Sequence, residues 1–161
     1  MIEKAEHDTT GIHDFDFFIG SWTVVNRRLK HWLAGDSEWE EFPATTTAFK
    51  VLDGLGNIDQ IRMPAKGYTG MTLRLFNTGT KEWSLYWAST RDGILYPPVT
   101  GRFHNGIGDF YGDDTYNEKP IRVHYIWSRI TANSCRWEQA FSADGGKSWE
   151  TNWIMDFKRT S

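Results

Sequence analysis

The chain carries one cysteine, Cys135, among 161 residues. A single thiol excludes an internal disulfide and leaves a thiolate zinc site short of ligands. No run of lysine and arginine stands out and the net charge is −3, so the clustered positive footprint of a nucleic-acid binder is missing. No hydrophobic stretch approaches the length of a membrane span. The opening residues, MIEKAEHDTT, are charged and lack the apolar core of a signal peptide, so a cytoplasmic protein with no membrane partner is expected. Reactive patterns are scarce as well. There is no G-x-S-x-G, no H-x-x-x-H and no H-x-H, and the glycines read as turns rather than phosphate cradles. Neither a metal nor another cofactor is expected.

What the chain has in abundance is aromatic surface: nine Trp, ten Phe and six Tyr. Such rings bury large areas and favour strands. Short apolar or alternating runs lie at 22–29, 38–52, 57–63, 70–76, 83–90, 100–103, 109–111, 122–130, 136–142 and 149–158. Turn formers separate them, among them Ala34-Gly35-Asp36, Asp53-Gly54, Asp92-Gly93 and Asn105-Gly106. This spacing predicts an all-β fold, a single antiparallel up-and-down β-barrel of about eight to ten strands. The compact helical candidate at 13–19 is too short to stand alone and reads as a plug at one barrel end. Residues 1–12 then form a flexible N-terminal segment, and 13–161 the barrel domain.

The C-terminal stretch RWEQAFSADGGKSWETNWIMDFK holds the strongest local signal. Two alternating strands flank Asp144-Gly145-Gly146, a hairpin turn in which glycine supplies the positive φ. With Ser142 opposite Ser148, Trp137 faces Trp153. One face then carries Trp137, Gln139, Phe141, Trp149, Thr151, Trp153, Met155 and Phe157; the other carries Arg136, Glu138, Glu150, Asn152 and Asp156.

Near the opening, FDFFIGSW contains Gly20-Ser21-Trp22 leading into the first long strand, and the last strand ends on Lys158-Arg159. This arrangement resembles the calycin, or lipocalin-like, barrels, in which a first-strand Trp packs at the closed end under a basic residue of the last strand. The resemblance implies that Trp22 and Arg159 close the barrel as a cation–π pair. More narrowly, FDFFIGSW, EWEEF, GLGN, GYTGMTLRLF, YPPVTGRF and RWEQAFSADGGKSWETNW resemble an uncharacterised bacterial family of lipocalin-like domains, domain-of-unknown-function family 1579. Membership implies a barrel and brings with it no activity and no catalytic residues.

Trp83, Leu85 and Trp87 alternate on one strand, and Tyr125 and Trp127 on another. Trp83, Trp87, Tyr96, Trp127, Trp137, Gln139, Thr151 and Trp153 are therefore the candidate ligand-binding set, lining a cavity for an apolar or aromatic small molecule. The alternative is that the rings simply fill a small barrel. His124 lies mid-strand on the face opposite Trp127. Facing inward, it is a general base or an axial haem ligand; facing outward, a hydrogen-bonded surface residue. The glycine-rich first-strand signature of nitrobindin-type haem barrels is not reproduced after Trp22, where Thr23-Val24-Val25 follows. Glu40 and Glu41 are strand neighbours and cannot share a site. Asp113-Asp114 reads as a solvated loop.

Arg91 ends the Trp83-Leu85-Trp87 alternation, either projecting at the barrel mouth on that face or sitting in a surface turn, and Tyr96 stands just before Pro97-Pro98. With His124 they are the catalytic candidates for a second reading, a cyclase, isomerase or lyase acting inside the barrel. A third reading is a filled barrel working through its outer surface or as a homodimer. Fold class alone does not choose among these.

Overall fold

Strands form where alternating residues run between turn formers, and the computed structural model, which describes residues 10–161, contains ten of them. They are β1 (Gly20–Leu29), β2 (Trp39–Val51), β3 (Gly56–Met63), β4 (Tyr68–Asn77), β5 (Glu82–Ser89), β6 (Val99–His104), β7 (Ile107–Tyr116), β8 (Lys119–Ser128), β9 (Ser134–Ser142) and β10 (Glu150–Arg159). Each pairs antiparallel with its sequence neighbour, and β1 pairs with β10 to close the barrel. The expected up-and-down barrel is the observed one, at ten strands. Of the segment 1–12, residues 1–9 lie outside the described residues.

Strand β7 runs five residues beyond its expected end. Asp113 and Asp114 are thus not loop residues. Pleating sends Asp113 outward to Arg122 and turns Asp114 toward the interior, where it borders the cavity described below. The C-terminal hairpin differs in register. Phe141 pairs with Glu150 and Ala140 with Thr151; past a bulge between Thr151 and Trp153, Gln139 pairs with Trp153 and Trp137 with Met155. The connection is wider than a tight turn because Asp144 organises it, accepting from Ser142 Oγ, Ser148 Oγ and the Ser148 amide. Those bonds, the Ser148 hydroxyl foremost, hold the Asp144 carboxyl down at about 2. The first offset turns Trp149 and Thr151 outward. The bulge adds one more residue, which restores Trp153, Met155 and Phe157 to the inside and buries Asn152 as well.

One barrel end is blocked. Asp16–Phe18 forms a 3₁₀ turn, and the Phe15 and Phe18 rings insert beneath Trp83, Phe103 and Trp127. Arg159 lies with its guanidinium carbon 4.2 Å from the Trp22 ring centre. It also donates to the carbonyls of Phe17 (2.5 Å), Ile19 (2.6 Å) and Ala132 (2.9 Å). Trp22 Nε1 in turn donates to the Phe18 carbonyl at 2.9 Å. Gly20 has φ +126°, and a Cβ there would lie 2.5 Å from both Arg159 Nη1 and the Ser161 carbonyl oxygen. The Gly-x-Trp pattern therefore has a local cause: only glycine leaves room for the guanidinium.

Two outcomes follow. Arg159→Ala should lower the unfolding free energy by about 2 kcal/mol in urea titration, from the lost cation–π contact and carbonyl partners. Arg159→Lys should restore little of it, because an ammonium cannot lie flat on the indole while reaching three carbonyls. Wild-type stability in the lysine variant would remove the clamp from this account. Separately, burial pushes the inward-facing Cys135 thiol up to about 12. An aromatic disulfide reagent at about pH 8 should leave it unlabelled until denaturant is added.

Candidate ligand-binding site

The interior between the plug and the far rim is a cavity of about 580 Å³. Its walls come from inward-facing positions of β5, β8, β9 and β10. Tyr125 meets Trp137 edge to face at 5.0 Å, Trp137 meets Trp153 at 5.7 Å, and Trp153 meets Trp87 at 6.5 Å. These perpendicular contacts fix the rings against one another and leave indole faces turned to the space. Trp87 owes its position to Gly70, where an added Cβ would lie 1.9 Å from the indole. Burial pushes the Tyr125 hydroxyl above its ordinary range, with Asp114 adding to the effect and Arg74 opposing it. It is held neutral, as a donor.

The floor is polar. Arg74 is 3% exposed and Asp59 5% exposed, and their side chains approach to 2.8 Å. Arg74 Nη1 donates to Asn57 at 2.9 Å, and Thr46 Oγ1 donates to the other Asp59 oxygen at 3.0 Å. The guanidinium is boxed by the rings of Phe15, Phe18 and Trp127. The network is nevertheless incomplete. Asp59 Oδ1 is close to Arg74 Nη2 in distance but off the hydrogen-bond line, and Arg74 Nε and Trp127 Nε1 have no acceptor.

At the open end stand Trp32, Tyr68, Tyr116 and the connection 90–98, with Ile94 and Leu95 exposed. Tyr96 donates to Asp92 at 2.6 Å, which raises the phenol above its usual range and lowers the carboxyl. Arg91 lies 4.0 Å over the Tyr68 ring.

Of the residues singled out in the sequence, Trp87, Tyr96, Trp127, Trp137, Gln139, Trp153 and Arg91 border this cavity. Three stand elsewhere. Trp83 sits too near the closed end, where its Nε1 donates to the Gly11 carbonyl and Phe15 packs against it. Thr151 faces solvent because of the hairpin offset. His124 is on the outer wall, stacked on Tyr111 at 4.1 Å and bonded to Asp109 at 2.8 Å; its strand parity is opposite to that of the inward Trp127.

Sequence reasoning missed Arg74 and Asp59. In TLRLF, period two favours placing Met71, Leu73 and Leu75 inside, yet β4 turns them outward and buries Arg74. The pattern carried no signal for this inversion. Asp114 was legible in principle, since strand parity separates it from Asp113 once β7 is extended.

Among the described residues no helix is long and apolar enough to cross a membrane, and no group of three metal-ligating side chains comes together. No family model and no curated protein matches the sequence. Among solved structures, the S-type phycobiliprotein lyase CPES from Guillardia theta is similar, with a TM-score of 0.56 and 9% sequence identity. The alignment covers 98% of this chain and 99% of the lyase. The likeness is one of fold alone. In this chain the barrel has one blind end and one mouth.

The floor pair is testable by a mutant cycle. Arg74→Met alone should cost about 3–5 kcal/mol, because it strands a buried carboxylate. The double variant Asp59→Leu/Arg74→Met should recover most of that loss in urea unfolding. Additive losses would mean that the two groups do not act as a pair.

Proposed function

We propose that the chain binds a flat, largely apolar small molecule inside the barrel, as a carrier or receptor in the cytoplasm. The observation that carries this reading is the cavity of about 580 Å³ walled by Trp87, Tyr125, Trp137 and Trp153. A space of that size suits a drug-sized ligand, and largely preformed aromatic walls reduce the ordering cost of binding. Polar groups at the two ends, Arg74 and Asp59 below and Arg91 and Tyr96 above, supply orientation. FDFFIGSW and RWEQAFSADGGKSWETNW associate the chain with domain-of-unknown-function family 1579 within the lipocalin-like barrels. A linear tetrapyrrole, the kind of chromophore to which the name of the fold neighbour points, is long, flat and conjugated and belongs to the same ligand class.

The enzyme reading has less behind it. Its only imidazole candidate, His124, points away from the cavity, which leaves Arg91 and Tyr96 at the mouth. Both groups suit binding as well as they suit catalysis.

The test is a fluorescence titration with pyrene derivatives, long-chain alcohols and a bilin. Indole emission should quench or shift saturably with one ligand per chain. In Gly70→Val the Trp87 indole is driven into the cavity, and affinity should fall about tenfold while the far-ultraviolet circular dichroism stays that of the barrel. A flat response to every compound would return the molecule to a filled barrel.

A further inference from the structure

The charge at the mouth is unevenly distributed. On one side Arg28 and Lys66 bracket a single carboxylate, Glu40, and Arg91 stands over Tyr68. Arg28 reaches Glu40 at 3.1 Å, and Lys66 holds the other oxygen. Burial opposes charge on Glu40, but the hydrogen bonds from Lys66 and Arg28 outweigh it and keep the carboxyl below its usual range. Glu40 is fully engaged. Arg91 makes no ion pair among the described residues, and its guanidinium rests on the Tyr68 ring, whose hydroxyl accepts from Arg28 at 2.9 Å. The neighbouring Asp92 is occupied by the Tyr96 hydroxyl and the Ile94 amide. Asp114 also borders the cavity, near enough to act on Tyr96 in the same connection, and among the described residues no cation is paired with it.

We infer that the ligand is an amphipathic acid, with its apolar body among the indoles and its carboxylate at the mouth on Arg91. This inference rests on the cavity-binding reading and adds the chemical class of the ligand. A guanidinium stacked on a ring keeps its in-plane N–H groups free, and those groups match a carboxylate in a bidentate fork. Stacking on Tyr68 also removes part of the ordering cost. Asp114 repels an anion from its own stretch of the rim, so the two charges together set where along the rim the head group sits. The floor offers no equivalent seat, because Asp59 already neutralises Arg74 there.

Two probes with the same body separate the contributions: 1-pyrenebutyric acid and 1-pyrenebutanol, followed by indole-to-pyrene energy transfer in low salt. The acid should bind about tenfold tighter than the alcohol, the scale of one charge-assisted contact. Arg91→Ala should abolish that difference, and Arg91→Glu should reverse the preference. Arg91 lies in an exposed connection, so neither substitution threatens the fold. Equal binding of both probes to the wild type, or a preference that survives in Arg91→Ala, overturns the acid and leaves the cavity reading standing. Failure of both probes to bind overturns the two together.

Discussion

The seal at one end of the barrel governs the rest of the molecule. The 3₁₀ turn Asp16–Phe18 leaves carbonyls that its own short helix cannot satisfy, and they lie in a corner largely closed to water. Arg159 answers the carbonyls of Phe17 and Ile19 and offers a flat cationic face to Trp22, whose own Nε1 takes the carbonyl of Phe18. Because it comes from the last strand and Trp22 from the first, the same contact pins the β1–β10 seam that closes the sheet. A sealed end with a pinned seam makes the interior a blind pocket rather than a channel.

Within that pocket the chain departs from the pattern that would stabilise it most simply. Leu73 and its neighbours on β4 face outward, and Arg74 faces in. Burying a leucine contributes about 1.5–3 kcal/mol, whereas a buried ion pair seldom improves on apolar packing. The outward side chains recover part of this through rows across the sheet: Phe49, Ile58, Leu73 and Tyr86 are successive cross-strand partners on four strands. The inversion therefore works against the barrel's stability, and departures of this kind tend to mark positions kept for function.

The two ends of the cavity treat charge differently. At the floor, low dielectric surroundings and three aromatic rings hold Arg74 and Asp59 against each other. At the mouth, water is near and the charges are spread around the rim, so they set orientation more than they set strength. The indoles between the ends have little freedom to lose, since each rests edge-on against the next. An apolar body would meet a surface already in place.

Strand positions were largely legible, because turn formers and period-two alternation are local. The Gly20-Ser21-Trp22 pattern and the aromatic residues of β5, β8, β9 and β10 pointed to an interior of rings. Trp83, Thr151 and His124 show where such reading stops. The height of a ring in the barrel, one bulge, and the face of a strand are each set by partners far away in sequence. By itself, the sequence determined a closed antiparallel sheet rich in inward aromatics, since alternation and turns act between near neighbours. Only the tertiary structure decided that Arg74 and Asp59 meet on the floor and that Arg91 rests on Tyr68 at the rim, because a one-residue change of register exchanges inside for outside and no local propensity records it.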